Sequence, residues 1–138
     1  MARSRAARPA DVGEIARSLP EVTSELAWGD LPAFKVRGKA FIIYRGPRPD
    51  AVDAAGEMID DVIVISCAAD DKQAIISDDS PFFSTAHFDG YHSVLLRESE
   101  IGGISKAELT EVITDAWLAR APKRLAQTWL AEQTDPAP

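Results

Sequence analysis

Apolar residues recur along this chain with two different periods, and each change of period marks an element. Val12, Ile15, Ala16 and Leu19 fall at i, i+3, i+4 and i+7, with Asp11, Glu14 and Arg17 on the other side; this spacing predicts one amphipathic helix. Pro9 suits its first turn, where a missing N–H matters least, and Pro20 ends it. The period then shortens. Thr23 to Trp28 reads as a first short strand, broken by the turn chemistry of Gly29-Asp30-Leu31-Pro32. Phe34 and Val36 alternate with Lys35 and Arg37, and Gly38 turns the chain into a second apolar run that reaches Tyr44 and Arg45. Alternation, glycine and alternation again predict a hairpin.

From residue 46 to 61 no period survives, and Pro47, Pro49 and Gly56 among five acids predict a loop. Val62 to Cys67 is a mostly β-branched run, the pattern of a buried central strand. Asp70 or Asp71 can cap a short helix through Ile76. Pro81 to Arg97 reads as an extended segment, a tight turn at Asp89-Gly90 and a returning strand over Ser93 to Leu96. Ser105 and Glu108 have capping-box spacing. Leu109, Val112, Ile113, Ala116 and Trp117 then lay one apolar face along a helix. Pro122 can start a last segment with Leu125, Ala126, Trp129 and Leu130 on its inner side. The short connections favour antiparallel pairing. The predicted fold is therefore a two-layer α+β domain, a curved antiparallel sheet of about five strands with helices mainly on one face. Residues 1–8 read as a flexible basic arm, 9–131 as a single domain and 132–138 as a frayed tail.

Composition narrows the picture. With 138 residues, 46% hydrophobic and 27% charged, the chain suits one globular domain. Its apolar runs fall far short of the roughly 20 residues a spanning helix needs, and no apolar stretch follows the basic N-terminus as in a secretory signal, so no membrane association and a cytoplasmic setting are expected. The single Cys67 excludes an internal disulfide. A net charge of −7 argues against a uniformly basic nucleic-acid-binding surface, but the distribution is uneven. No acid interrupts Leu31 to Pro49, and the predicted hairpin offers Lys35, Arg37, Lys39 and Arg45 beside Phe34, Phe41 and Tyr44. Single-strand binders use such mixtures of cations and aromatics. Lys123 and Arg124 form a second candidate patch.

The residues with the most reactive chemistry lie between Pro81 and Arg97, which holds three of the five Phe and both His. His87, Asp89, Tyr91 and His92 could line a pocket there; Asp-Gly at a hairpin tip is also ordinary turn chemistry, and the aromatics also suit a core against the C-terminal helix. No nucleophile elbow, zinc-helix, Walker or dinucleotide motif is present, so no catalytic set and no metal or other cofactor is predicted.

Leu19-Pro20-Glu21-Val22, the run from Trp28 to Phe41 and the Phe82-Phe83 to His92 segment, with Ala121-Pro122-Lys123-Arg124-Leu125, together resemble the MmcQ/YjbR family over roughly residues 9 to 131. Leu31 is an extra residue between the Gly-Asp pair and Pro32 compared with many members. The resemblance implies a compact α+β domain similar in architecture to secretion-chaperone-like folds. Family members are commonly labelled DNA-binding, which makes DNA one expected partner and a protein partner, met through a sheet face or edge, the alternative; a small molecule under the aromatic stretch is a third. The family motif brings no established catalytic set.

Overall fold

Five strands form one antiparallel sheet in sequence order: β1 (Val22–Leu26), β2 (Pro32–Val36), β3 (Lys39–Arg45), β4 (Val62–Ser66) and β5 (Ser93–Arg97). Among the described residues four α-helices accompany them: α1 (Pro9–Ser18), α2 (Lys72–Ile75), α3 (Lys106–Arg120) and α4 (Lys123–Thr134). The structure is a computed structural model that describes residues 4–26, 31–47, 49, 51–77, 80–85, 88 and 90–134. The α+β expectation is met.

The tightest connection joins β2 to β3. Arg37 and Gly38 have φ of +49° and +82°, so both residues of this two-residue turn are left-handed, the geometry that matches the twist of paired strands. The register then shifts. Phe34 faces Ile42 while Lys35 faces Ala40, which leaves Phe41 as an extra residue, a bulge that bends β3.

On one face of the sheet, Phe34, Ile42, Ile63, Ile65, Val94 and Leu96 meet Val12, Ile15 and Ala16 of α1 and Leu109, Ile113, Ala116 and Trp117 of α3 in one core. The helices begin as their sequences require. Ser105 Oγ accepts from Glu108 N at 3.1 Å to cap α3, and Asp11 accepts from the Arg8 backbone N–H at 2.8 Å at the start of α1. Trp117, fully buried, donates from its indole nitrogen to Pro20 O at 3.1 Å, which fixes the end of α1 against α3.

The opposite face is covered by loops. Ala51 and Ile59 of the 46–61 segment form a second cluster with Val62 and Leu95, against which Val64, Phe83 and Phe88 rest. This differs from the expectation for the aromatic stretch. Phe82 joins the helix-side core, but Phe83 and Phe88 lie on the other face, and Tyr91 is 56% exposed. Among the described residues the expected hairpin shows one bridge, in which Phe83 and Leu95 exchange backbone hydrogen bonds of 2.8 Å, and Asp89 of its expected turn lies outside them. Phe82 and Phe83 are adjacent in sequence and therefore point to opposite faces, which is why both could not serve the same core.

The basic arm is pinned from Ser4 onward. Lys106 N donates to Arg5 O at 2.8 Å, Ala7 N to Ile104 O at 2.9 Å, and Ala107 N to Ser4 Oγ at 2.9 Å. Arg5 grips Asp11 through both terminal nitrogens at 2.7 and 2.8 Å. Among the described residues no helix is long and apolar enough to cross a membrane.

Candidate functional site

The loop-covered face is not filled. A cleft of about 720 Å³ remains over β3, β4 and the start of β5, a size within the range of small-ligand pockets. Its floor comes from alternate residues of neighbouring strands. Ile43 faces Val64, and Ser66 faces Ser93; pleating sends these side chains away from the helix layer. Ala40 and the bulged Phe41 extend the floor at the β2–β3 end.

The cleft has two chemically different ends. Ala40 to Arg45 spans five steps of β3, roughly 16 Å at about 3.3 Å per residue. At the Arg45 end the guanidinium lies 5.1 Å over the Phe88 ring, and Pro49 closes the rim. At the Ala40 end Arg120, from the last turn of α3, donates from Nε to Ala40 O at 3.1 Å. The serine pair belongs to this second end, because Ile65 faces Ile42 and the strands run antiparallel.

The remaining wall is the segment that carries Phe88, Tyr91 and His92, held from behind by Lys72. Only 8% of Lys72 is exposed, and its ammonium donates to Phe88 O at 2.7 Å and to Tyr91 O at 2.9 Å. Cys67 N adds a bond to His92 O at 3.0 Å. Phe88 and Tyr91 meet edge to face with ring centroids 5.7 Å apart. Burial pushes the Cys67 thiol up from its ordinary value, away from the thiolate that reactivity needs.

Of the pocket residues expected from sequence, Tyr91 and His92 share this cleft, and His87 and Asp89 lie outside the described residues. Among the described residues no group of three His, Cys, Asp or Glu side chains is placed to hold a metal ion.

The basic candidates divide into two kinds. Lys35 lies 3.2 Å from Glu25. Arg37 makes a two-point ion pair with Glu21, which holds the Glu21 carboxyl below its ordinary value and raises the guanidinium, the hydrogen bond between them being the main cause. Arg45, 9% exposed, is buried in the cleft instead of standing on a wet face. Lys39, Lys123 and Arg124 are exposed and make no ion pair among the described residues. The Arg120–Ala40 hydrogen bond joins the chain segments that carry these last three. Lys39 precedes Ala40, and Lys123 and Arg124 follow Arg120 by three and four residues, so two stretches separate in sequence are tied together near the serine end of the cleft.

Arg120, Lys72, Ser66 and Ser93 were not among the residues expected from sequence. Arg120 carried one signal, a basic residue in the last turn of α3, which reads equally as a helix-terminus charge.

Comparison with known proteins follows the same span. A family model described as YjbR matches residues 17–119. Three mycobacterial proteins, Uncharacterized protein Mb2600 of Mycobacterium bovis and Uncharacterized proteins MT2646 and Rv2570 of Mycobacterium tuberculosis, are each 41% identical over 87 residues, 62% of this chain. The match spans 60% of the length of each of these relatives. No solved structure matches the chain.

Proposed function

We propose that this chain, which belongs to the YjbR family, is a non-enzymatic binding domain for single-stranded nucleic acid. The observation that carries the reading is the 3.1 Å bond from Arg120 to Ala40 O. It ties together the segments that carry Lys39 and Arg120, with Lys123 and Arg124 close after Arg120 in sequence, beside a cleft walled by Phe88 and Tyr91, which supports a cationic rim at that corner. Cations that track a backbone beside aromatic faces are what single-strand binding requires. Lys35 and Arg37, neutralised by Glu25 and Glu21, contribute little under this reading. A net charge of −7 limits attraction at a distance, so contact is local and salt-sensitive.

If the four corner cations each meet one phosphate, log affinity falls with log salt at a slope near about −0.7 per contact. Fluorescence anisotropy with a short labelled oligothymidine in low salt reads this directly. Lys123→Glu with Arg124→Glu is expected to abolish binding. An oligonucleotide that fails to bind at low salt, or binds the charge-reversed protein equally, contradicts the reading.

A second reading has its own observation. β1 is an edge strand whose residues from Thr23 to Leu26 are exposed, whereas β5 is bridged on its outer side by Phe83. An open edge can accept a strand from a partner protein. Sedimentation across a concentration series distinguishes self-association through that edge from a monomer, and Ser24→Pro, which removes a backbone donor from β1, should reverse any association that uses it.

A further inference from the structure

The floor of the cleft carries two hydroxyls that make no side-chain hydrogen bond among the described residues. Ser93 is only 8% exposed, lines the cleft, and has no side-chain hydrogen-bond partner among the described residues. Its cross-strand neighbour Ser66 lines the same floor and is likewise without one. Cβ atoms of directly paired residues lie about 5 Å apart, so the two hydroxyls sit side by side. Thr85 Oγ1 is the one buried side-chain polar atom without a partner among the described residues, so the two serine hydroxyls stay reachable from the cleft and can bond whatever enters it. The surroundings say what shape that is: Phe41, Ile43 and Val64 make an apolar floor, and Phe88 and Tyr91 stand as a wall. A planar, mostly apolar group with polar atoms on its edge satisfies both demands.

We infer that the cleft receives one unstacked nucleobase, seated on the sheet floor beside the Phe88–Tyr91 wall, with its polar edge on Ser66 and Ser93 and the adjoining phosphate at Arg120. The assignment rests on the single-strand reading given above and names the subsite within it. Each hydroxyl can donate and accept, so the floor suits every base edge and confers little sequence preference. Arg120, already fixed by Ala40 O through Nε, presents its terminal nitrogens at the end of the cleft where the serines lie. Lys72 fixes the carbonyls of Phe88 and Tyr91, so the wall is formed before the base arrives. A preformed slot keeps the ordering cost of binding low.

The test compares a short labelled oligothymidine with the same strand carrying abasic sites, by anisotropy at low salt. Stacking of one base is expected to give the intact strand roughly a tenfold advantage over the abasic one. Ser93→Phe fills the slot and is expected to erase that advantage. Tyr91→Ala, at an exposed side chain whose loss spares the fold, is expected to reduce the advantage several-fold. Circular dichroism of both variants checks folding, and if Ser93→Phe does not fold, Tyr91→Ala alone decides. Equal binding of intact and abasic strands, or an advantage that survives Tyr91→Ala undiminished, overturns the inference but leaves the corner as a phosphate site. Failure of every strand to bind at low salt overturns both.

Discussion

Asp11 shows how much one side chain can hold together in a small domain. Its carboxylate accepts from two nitrogens of Arg5 and from the Arg8 backbone, and so ties the N-terminal segment to the first turn of α1 at the positive end of the helix. The Arg5 hydrogen bonds, the largest effect, hold the carboxyl well below the usual carboxylate range. Because the folded value is depressed, the stabilisation is fully present above the unfolded value near about 4 and is lost as pH falls through the folded one. Thermal midpoints of wild type and Asp11→Asn, measured from neutral to acid pH, should differ at neutrality and converge as pH drops below about 4. A constant gap would mean that the charge on Asp11 is irrelevant. Local sequence places Asp11 in the first turn of α1 and Glu14 a turn later, but does not say that Asp11 is buried while Glu14 is exposed; what separates them in burial is the return of the arm across the start of α3.

At the scale of elements, the parts legible in the sequence are those determined by neighbours in the chain. The i, i+3, i+4, i+7 stripes of α1 and α3 became the helix-side core, Ser105 caps as its spacing implied, and Gly38 turns the β2–β3 hairpin. What was not legible depends on residues far apart. Alternation assigns Phe82 and Phe83 to opposite faces but does not say that the second face has a cluster of its own, because Ala51 and Ile59, which build it, sit in a segment without period. Lys72 is the clearest case. A lysine opening a four-residue helix reads as solvated, yet its ammonium bonds two carbonyls 16 and 19 residues away. Hydrogen bonds of a charged donor contribute about 1.5–3 kcal/mol each. Lys72→Met should therefore loosen the cleft wall before it loosens the core. Amide exchange should accelerate at Tyr91 and Cys67, whose N–H groups bond within and against that wall, with α3 unaffected. A uniform acceleration, or none, would show that Lys72 does not act locally.

For the whole molecule, one side of the sheet is devoted to stability and the other leaves a cleft open. The division follows from unequal cover: α1 and α3 bury one face, and loops cover only the part of the other near Leu95 and Val62. The sequence pointed to Lys39, Lys123 and Arg124, and to Tyr91 and His92, as separate patch and pocket candidates. It could not show that the chain segments carrying the patches are tied together beside the cleft, since the link is a hydrogen bond between residues 40 and 120. Nor could it show that Lys35 and Arg37 meet acids of β1 and of the residue before it, because strand pairing brings those acids in.

The central claim is that corner and cleft act as one recognition surface, and amide chemical-shift mapping with unlabelled oligothymidine at low salt tests it most directly. The account predicts shifts that cluster at Lys39–Phe41, Ser66, Tyr91–Ser93 and Arg120–Arg124, and that vanish together as salt is raised. Shifts confined to β1, spread evenly over the surface, or absent would contradict it.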